Sequence, residues 1–548
     1  MTPRKKKNVP KTSAFVAFEG GGAKAIVHIG AMRAIEKLGH LAIQGVAGTS
    51  AGAIIAALYA ANFSSEEIFS TTSSNTILTF IDPNYKSTID LLGRQHWRRI
   101  CYFKHVIGMT KWRKWPVGLF FLSTILAAYY WGGCAAILFL LISYTVLAAL
   151  IARRAYKGIA SVDHVRKAVN TALKKKLGKA SVKFSDFGGS TGRPYLKIVA
   201  TNITDGKLQL FSPELTPSVE VADAVAASIC LPLIFEPWVV QDKLHFDGGL
   251  VSNLPAWPFD EERALDRSSV TITCEVRPSA SEQPLPIKAM RRAWLKPTVN
   301  TAIFGAGELN IRQSGDSVMF TRSTEINTLD FDLDRSRVKQ TIEDAHDAAT
   351  VKLRWELVDK PDLMKNTSKL VREIVRRFLG GKDSFVATGE AVGRVRVAFA
   401  MKEPGNYFSA RLRYGAGYEP YDPDVDLRLP LDGSYVGEAF EDGKTIFDVV
   451  NWSTFSTGFP GVTPTAVLRQ LWLQTWRGMK WLLCVPIVSG SGQDSTVVVL
   501  TVDGDNGLID NRDLVYNRVG LLVSLIQPIA TQAIKVFAEK NQWRALNA

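Results

Sequence analysis

Two short apolar runs near the start of the chain each end in a glycine-rich turn and lead into a helical pattern. The first run, 14–18, is followed by glycines 20–22 and by isoleucine and leucine at helical spacing. The second run, 43–47, is followed by the turn 48–52 and an Ala/Ile-rich segment that extends to about residue 61. The change from a short apolar run to apolar residues at helical spacing, across a glycine turn, predicts two strand–turn–helix units.

The last third of the chain has a different pattern. Residues 337–380 are charged and have helical spacing, and after them short apolar runs alternate with turns. We therefore expect a first domain at 14–350, a helical connector at 351–381 and a second domain at 382–548. The strands and the closing helix predicted there lie at 395–401, 407–414, 427–431, 481–487, 496–503 and 508–539.

Residues 116–152, inside the first domain, contain no charged residue. One spanning helix needs about 20 apolar residues, so this length suits two short helices, 117–131 and 133–151, around the glycine pair. Both flanks are basic, which places them on the cytoplasmic side. We predict an inserted transmembrane hairpin, multi-pass or re-entrant, with the catalytic domain on the cytoplasmic side. The alternative is a buried helical pair in a soluble core.

The 548 residues carry a formal net charge of +14, and the positive charge is local. The tail 1–13 is basic, residues 86–115 hold eight Lys/Arg and one Asp, and residues 153–183 hold ten Lys/Arg and one Asp. The last two stretches flank the apolar run. They favour anionic lipid head groups over nucleic acid as the partner of these flanks.

The five cysteines lie far apart and form neither a CxxC pair nor a Cys/His cluster. This spacing argues against a disulfide framework and a structural zinc site, and in favour of a reducing compartment. The basic tail precedes an apolar run that is too short for a signal peptide, so none is predicted. We expect no metal and no cofactor.

The second glycine turn, Gly48-Thr49-Ser50-Ala51-Gly52, has the G-x-S-x-G spacing of a nucleophile elbow. The glycines Gly48 and Gly52 permit the strained turn that exposes the Ser50 hydroxyl. The helix that follows begins at about Ala51, and its free N–H groups and positive dipole end could hold an oxyanion.

The first glycine turn, Gly20-Gly21-Gly22, would supply further N–H groups with no side chains in the way. Two glycine turns about 30 residues apart are a more specific signal than either alone. Gly20-x-Gly22-x-x-Ala25 also matches the dinucleotide fingerprint formally. That motif needs an acidic residue at the end of the second strand, where this chain has the Ser50 elbow. A pair of tight turns without chemistry is the remaining alternative.

A serine nucleophile needs a base. Ser50, Asp247 and His346 follow the chain order of an α/β-hydrolase triad, but that fold has several strands before its nucleophile and here there is one. His346 lies in a polar helical pattern typical of a solvated face. Asp247 ends a short strand at the turn Gly248-Gly249, so we expect its carboxylate to take the serine proton directly.

Three motifs in this order, 20–24, 48–52 and 247–249, resemble those of the patatin-like phospholipase family. The stretches 200–202, 226–228, 231–232 and 253–255 are also similar to that family. The resemblance covers roughly residues 12–350.

The resemblance implies a three-layer α/β/α fold and hydrolysis of lipid acyl esters without a metal. It implies that Ser50 is the nucleophile, Asp247 the base and Gly20–Gly22 the oxyanion hole. The chain departs from the family at three positions: Glu19 stands where Asp is usual, Lys24 where Arg is commoner, and Ala25 where Gly is usual. Lysine lacks the planar fork of arginine.

The second domain resembles a GAF-type sensor domain in the stretches 437–439, 484–487 and 499–503. This resemblance implies an antiparallel sheet that can bind a small molecule or form a homodimer. The alternative is an accessory domain with a filled core.

Together these observations predict a membrane-anchored serine lipid acyl hydrolase whose substrate is a membrane phospholipid and whose C-terminal domain is regulatory. The alternative is a membrane-bound sensor or scaffold with an inactive hydrolase fold. A soluble α/β-hydrolase is a third interpretation.

Overall fold

A computed structural model describes residues 12–74, 76–108, 158–232, 234–266, 268–278, 317–387, 391–402, 408–450, 475–488 and 496–545, with nine single positions between 122 and 146. The chain divides into two compact units, Met1–Leu353 and Arg354–Ala548.

The described strands of the first unit form one sheet of eight strands. Its order is β5-β6-β3-β2-β1-β7-β8, and β4 pairs with β3 outside this path. The central strands β3, β2, β1, β7 and β8 run parallel, whereas β4, β5 and β6 are antiparallel to their neighbours. The strands are β1 (Thr12–Phe18), β2 (Leu41–Thr49), β3 (Tyr195–Asn202), β4 (Lys207–Phe211), β5 (Trp238–Val240), β6 (Lys243–Asp247), β7 (Val270–Pro278) and β8 (Ser317–Thr324).

Helices connect these strands, and the first two α-helices follow the two predicted glycine turns. The described α-helices of this unit are α1 (Ile26–Leu38), α2 (Ala51–Ala60), α3 (Ser65–Ile68), α4 (Ile77–Ile81), α5 (Thr88–Leu92), α6 (Arg94–Gly108), α7 (Asp163–Leu177), α8 (Val221–Ile229), α9 (Asp260–Leu265) and α10 (Arg335–Arg354). The last helix extends one residue into the second unit.

Strand β1 is buried on both faces, as expected for a central parallel strand. On one face Phe15 stacks on Phe259, with ring centroids 4.7 Å apart. On the other face the Phe18 ring lies 5.3 Å from His28 of α1 and 6.3 Å from Tyr59 of α2. The sheet is therefore covered on both sides around β1, and the α/β prediction is confirmed for this unit.

The predicted hairpin, 116–152, lies almost entirely outside the described residues and stays a prediction. The nine described positions are helical. Their large apolar side chains are about half exposed or more, at Leu122, Leu126, Tyr129, Leu138, Ile142 and Val146. Among the described residues one helical stretch, Arg512–Val536, is long and apolar enough to cross a membrane. Core helices of soluble proteins can have the same length and composition.

The second unit contains an antiparallel sheet with the order β11-β10-β9-β14-β13-β12. The predicted strands here and the long closing helix are confirmed. The described α-helices and strands are α11 (Lys360–Leu379), β9 (Val395–Lys402), β10 (Ser409–Ala416), β11 (Arg428–Pro430), α12 (Tyr435–Asp442), β12 (Ile446–Val449), β13 (Trp481–Val488), β14 (Thr496–Gly504) and α13 (Arg512–Ala545).

Two apolar cores lie on the two faces of this sheet. Helices α11 and α13 pack on one face, around Phe385, Phe399 and Trp481, and α12 packs on the other. Helix α11 lies in the segment 351–381 that we predicted to be a connector. It buries Met364, Val371, Val375 and Leu379 in this core, so most of that segment is part of the second unit. An amphipathic helix needs a partner for its apolar face, and the sheet supplies it.

Candidate active site

Ser50 lies on the sharp turn between β2 and α2. Its backbone has φ 53° and ψ −130°, a conformation that non-glycine residues rarely adopt. A β-carbon at Gly48 would collide with the backbone of Gly52, and one at Gly52 would collide with the carbonyl of Phe18. Both glycines of the motif are therefore required by close backbone approach, and the turn leaves the Ser50 side chain half-buried.

Asp247 meets Ser50 from the end of β6. The Ser50 hydroxyl donates to Asp247 Oδ2 over 2.6 Å, and the Gly249 N–H donates to Oδ1 over 2.7 Å. The Asp247 backbone is held as well, because its carbonyl accepts from Thr201 Oγ1 at 2.8 Å and its N–H donates to the Cys230 carbonyl at 2.9 Å. The structure thus brings the predicted nucleophile and the predicted base into direct contact.

The Asp247 carboxyl is almost fully buried, with 3% of the residue exposed. Burial raises its pKa to about 6, although the hydrogen bonds from Ser50 and Gly249 act in the opposite direction. At neutral pH the group is therefore ionised and can accept a proton. A pKa just below neutrality suits a general base.

The histidine of the alternative triad lies elsewhere. His346, on α10, has its Nε2 2.9 Å from Lys37 Nζ and its Nδ1 3.4 Å from Thr350 Oγ1. Burial and the Lys37 charge lower its pKa. The structure pairs Ser50 with Asp247 and gives His346 different partners.

The glycine turn after β1 lies beside Ser50. The Gly20 N–H donates to the Asn253 carbonyl over 3.1 Å, so this N–H already has an acceptor, and the role of Gly20 in an oxyanion hole stays a prediction. Within the described residues, the backbone N–H groups of Gly21 and Gly22 have no assigned backbone acceptor. With the N–H of Ala51, at the start of α2, they are the remaining donors of the predicted hole.

Two residues that had no role in the sequence-based prediction hold this glycine turn. Asn253 Nδ2 donates to Glu19 Oε1 over 2.8 Å and to the Gly20 carbonyl over 3.3 Å. The second Glu19 oxygen accepts from the Val276 N–H over 2.6 Å. Burial raises the pKa of Glu19 to about 8. The sequence pointed to both residues, because Glu19 stands where the family usually has Asp and Asn253 begins the family-like stretch 253–255. Neither observation indicated that the two side chains are in contact.

No metal site is evident in the described ranges, where no group of three or more His, Cys, Asp or Glu side chains could hold an ion. The described part of the first unit is an α/β domain in which Ser50, on the turn between β2 and α2, is hydrogen-bonded to Asp247 at the end of β6. The comparison with known families agrees: residues 16–260 match the patatin-like phospholipase family model. The match covers a little under half of the chain.

One curated relative is the "Probable lipid hydrolase 463L" of Invertebrate iridescent virus 6, 31% identical over 98 residues. That match covers 18% of this chain and 33% of the viral protein, so the chain spans about a third of the length of that relative.

Among solved structures, VipD from Legionella pneumophila covers 64% of this chain and 68% of its own, with 17% identity and a TM-score of 0.34. The GAF domain region of a protein from Geobacter sulfurreducens PCA covers 33% of this chain and 99% of its own, with 20% identity and a TM-score of 0.22.

Proposed function

We propose that the N-terminal unit hydrolyses acyl esters of membrane phospholipids, with Ser50 as the nucleophile and Asp247 as the general base. The observation that carries this proposal is the 2.6 Å hydrogen bond from the Ser50 hydroxyl to the Asp247 carboxylate. The family match of residues 16–260 supports the choice of a lipid ester as the substrate.

In the first half of the reaction, Ser50 Oγ attacks the ester carbonyl carbon while its proton moves to Asp247 Oδ2. The carbonyl oxygen becomes an oxyanion, and in this scheme the N–H groups of Gly21, Gly22 and Ala51 stabilise it. When the tetrahedral intermediate collapses, the ester C–O bond breaks and the leaving alkoxide takes the proton from Asp247. The products are an acyl-enzyme and a lysolipid alcohol.

In the second half, a water molecule gives a proton to Asp247 and attacks the acyl carbon. The new tetrahedral intermediate collapses, Ser50 recovers its proton from Asp247, and a fatty acid is released. Every proton transfer in this scheme goes to or from the Asp247 carboxylate. No metal or redox cofactor enters it.

Membrane attachment through residues 116–152 is the second part of the proposal. Helices α6 and α7 flank that segment, and they meet where the rings of His96 and His164 lie 5.7 Å apart. The Ser161 N–H also contacts His96 Nδ1 at 3.3 Å. The helices that precede and follow the apolar segment in the chain are therefore neighbours at their first turns, which supports entry and exit on the same side of a bilayer.

Chain parity supports the same topology. Ser50 precedes the apolar segment and Asp247 follows it, and these two side chains are hydrogen-bonded. A single crossing would separate them by a bilayer, so an even number of crossings or a re-entrant loop is required. Arg94, Arg98 and Arg99 of α6 are exposed, and we propose that they bind anionic lipid head groups.

For the second unit we propose a regulatory role of the GAF type, exerted either by binding a small molecule or by forming a homodimer. The support is the antiparallel sheet with helices on both faces. The alternative of a filled accessory domain predicts that its removal leaves the kinetics unchanged.

The chemistry is tested by fluorophosphonate labelling and by fatty-acid release from liposomes of phosphatidylcholine and phosphatidylglycerol. We expect the native chain to be labelled and to release fatty acid, and Ser50→Ala to do neither. The matched control, His346→Ala, should retain labelling and fatty-acid release. No labelling of the native chain would favour the inactive scaffold instead.

The topology is tested with single cysteines at Lys111 and Arg154 in a background without the native cysteines. Both should react with a membrane-impermeant maleimide from the same side, which we expect to be the cytoplasmic side. Labelling from opposite sides would contradict both the hairpin and the dyad.

Regulation is tested by comparing the full chain with residues 1–353. The cut belongs at the boundary between the units, because a cut after 380 would leave α11 without its core. We expect fatty-acid release to change several-fold in either direction while membrane association is retained.

A further inference from the structure

Ser228 is a fully buried serine on α8 that contacts the nucleophile elbow. Its Oγ accepts a hydrogen bond from the Ser50 backbone N–H over 2.8 Å and donates one to the Val199 carbonyl over 2.6 Å. Since a serine hydroxyl carries one proton, the bond to Val199 fixes the direction of that proton. A lone pair of the oxygen is then aimed at the Ser50 N–H.

These contacts exclude Ser228 as a second nucleophile. The side chain is not accessible, and the hydroxyl proton is held by a backbone carbonyl rather than by a base. What the hydroxyl does is satisfy two buried backbone groups, each of which would be costly to leave without a partner.

The residue that Ser228 holds has an unfavourable backbone conformation. With φ 53° and ψ −130°, Ser50 persists in this state only if its surroundings over-determine it. Within the elbow, the backbone N–H of Ser50 donates a hydrogen bond to a side chain, that of Ser228. Without this contact the peptide preceding Ser50 would lose a restraint on its orientation.

The second partner of Ser228 connects the elbow to the base. In the parallel pairing of β2 and β3, Val199 lies opposite Thr49, and its neighbour Ala200 lies opposite Asp247 on β6. The Ser228 hydroxyl therefore bridges the nucleophile turn and the strand next to Asp247. A shift at this bridge would alter the Ser50–Asp247 distance.

Helix α8 is itself anchored from outside the site. Arg166 on α7 donates from Nε to Asp223 Oδ1 over 2.6 Å and from a terminal nitrogen to Glu220 Oε2 over 3.2 Å. Asp223 is in the first turn of α8, and Glu220 is its N-cap. The two ion pairs hold the helix that presents Ser228.

We propose that Ser228 is a positioning residue, which holds the Ser50 backbone and thereby keeps the Ser50 hydroxyl in line with Asp247. This inference rests on the proposed function of Ser50. It predicts that loss of the hydroxyl lowers the rate of acyl transfer while substrate binding is largely retained.

The experiment uses Ser228→Ala, the size-conserving Ser228→Cys and the control Ser269→Ala in the full chain. Ser269 is also a buried serine, whose hydroxyl donates to the Asp266 carbonyl over 2.7 Å in a turn before β7. All proteins are titrated with a fluorophosphonate, so that rates refer to reactive sites. Hydrogen exchange of the peptide covering 46–54 is measured in parallel.

For Ser228→Ala we expect kcat per reactive site to fall about 10- to 100-fold, with KM within threefold of the native value. The fluorophosphonate labelling rate should fall by the same factor, and the elbow amides should exchange faster. Ser228→Cys should lie between Ser228→Ala and the native chain, because a thiol is a weaker acceptor. Ser269→Ala should match the native chain.

A kcat per reactive site of Ser228→Ala within twofold of the Ser269→Ala value would overturn the proposal. If the native chain shows neither hydrolysis nor labelling, the proposed function has failed. The exchange measurement then still decides whether Ser228 restrains the elbow, since it does not depend on activity.

Discussion

Asp247 in the first unit and Asp503 in the second are both buried, and burial raises the pKa of both carboxyl groups. Their partners differ. Asp247 accepts from two neutral donors, the hydroxyl of the half-buried Ser50 and the Gly249 N–H. Among the described residues, no cationic side chain lies within hydrogen-bonding distance of the Asp247 carboxylate to neutralise its charge.

Asp503 instead faces a buried cation. Arg396 donates to both of its oxygens at 2.7 and 3.1 Å, and also to Asp424 at 2.8 and 2.9 Å. The guanidinium stacks on Tyr418 and Trp476, with ring centroids 4.5 and 4.4 Å away. Both oxygens of Asp503 accept hydrogen bonds from Arg396, and separating the two side chains would leave a buried charge without a partner.

The comparison shows that a shifted pKa does not by itself mark an active site. Both carboxyl groups are perturbed by the same cause, but only Asp247 holds a proton donor that is partly open to solvent. A closed ion-pair network stabilises a fold, whereas a buried carboxylate with one neutral, reachable partner can transfer a proton.

The largest expected difference between the two aspartates is in catalysis. Asp247→Asn removes the proton acceptor of Ser50 and should lower fatty-acid release by at least about 10³-fold. Asp503→Asn should retain most of the activity per fluorophosphonate-reactive site. Equal losses in the two variants, measured per reactive site, would show that Asp247 acts through the fold.

For stability we expect the opposite ranking, with a larger loss in Asp503→Asn than in Asp247→Asn. Asp503→Asn leaves the buried Arg396 with one carboxylate fewer, and should reduce the free energy of unfolding of the second unit by about 3 kcal/mol. Denaturant unfolding followed by tryptophan fluorescence measures this change. The matched control is Asp432→Asn, at an exposed position, which should be neutral. A neutral Asp503→Asn would mean that the network contributes little.

The pH profile tests the state of Asp247. Because its pKa is raised to about 6, the carboxyl is protonated below pH 6 and cannot accept the Ser50 proton. We expect kcat/KM to rise about tenfold per pH unit up to pH 6 and then to level off. The labelling rate should follow the same curve. A plateau that extends down to pH 4 would place the base elsewhere.

The last expected effect concerns Glu19, whose pKa burial raises to about 8 in the folded protein. The folded state holds a proton that the unfolded carboxyl, with an ordinary pKa of 4.5, has already released. Its contribution to stability is thus complete below pH 4.5 and is lost as the pH rises through 8. The slope is at most about 1.4 kcal/mol per pH unit.

Glu19→Gln removes this titration and should flatten the dependence of unfolding free energy on pH between 5 and 8. Glu214→Gln, at an exposed position, is the control and should leave the dependence as it is. An unchanged slope in Glu19→Gln would show that Glu19 is ionised at neutral pH.

Local sequence was sufficient for the parts of the site that lie on one turn. The nucleophile elbow and the first glycine turn are encoded by adjacent residues, so their strand–turn–helix pattern and the candidate Ser50 could be predicted. Asp247 was identifiable for the same reason, as a carboxylate at a strand end before two glycines. The strands of the second unit were also predictable, because period-2 patterns and turn residues are local.

What the sequence by itself determined, then, is which residues could carry chemistry and which segments form strands and helices. The tertiary structure decided which of them meet. It chose Asp247 over His346 as the partner of Ser50, engaged the Gly20 N–H, placed Asn253 between Glu19 and Gly20, and made α11 part of a core. The physical reason is the distance along the chain. The bonds from Ser50 to Ser228, Ser50 to Asp247 and Asn253 to Glu19 span 178, 197 and 234 residues, and no local pattern encodes a contact that only tertiary packing creates.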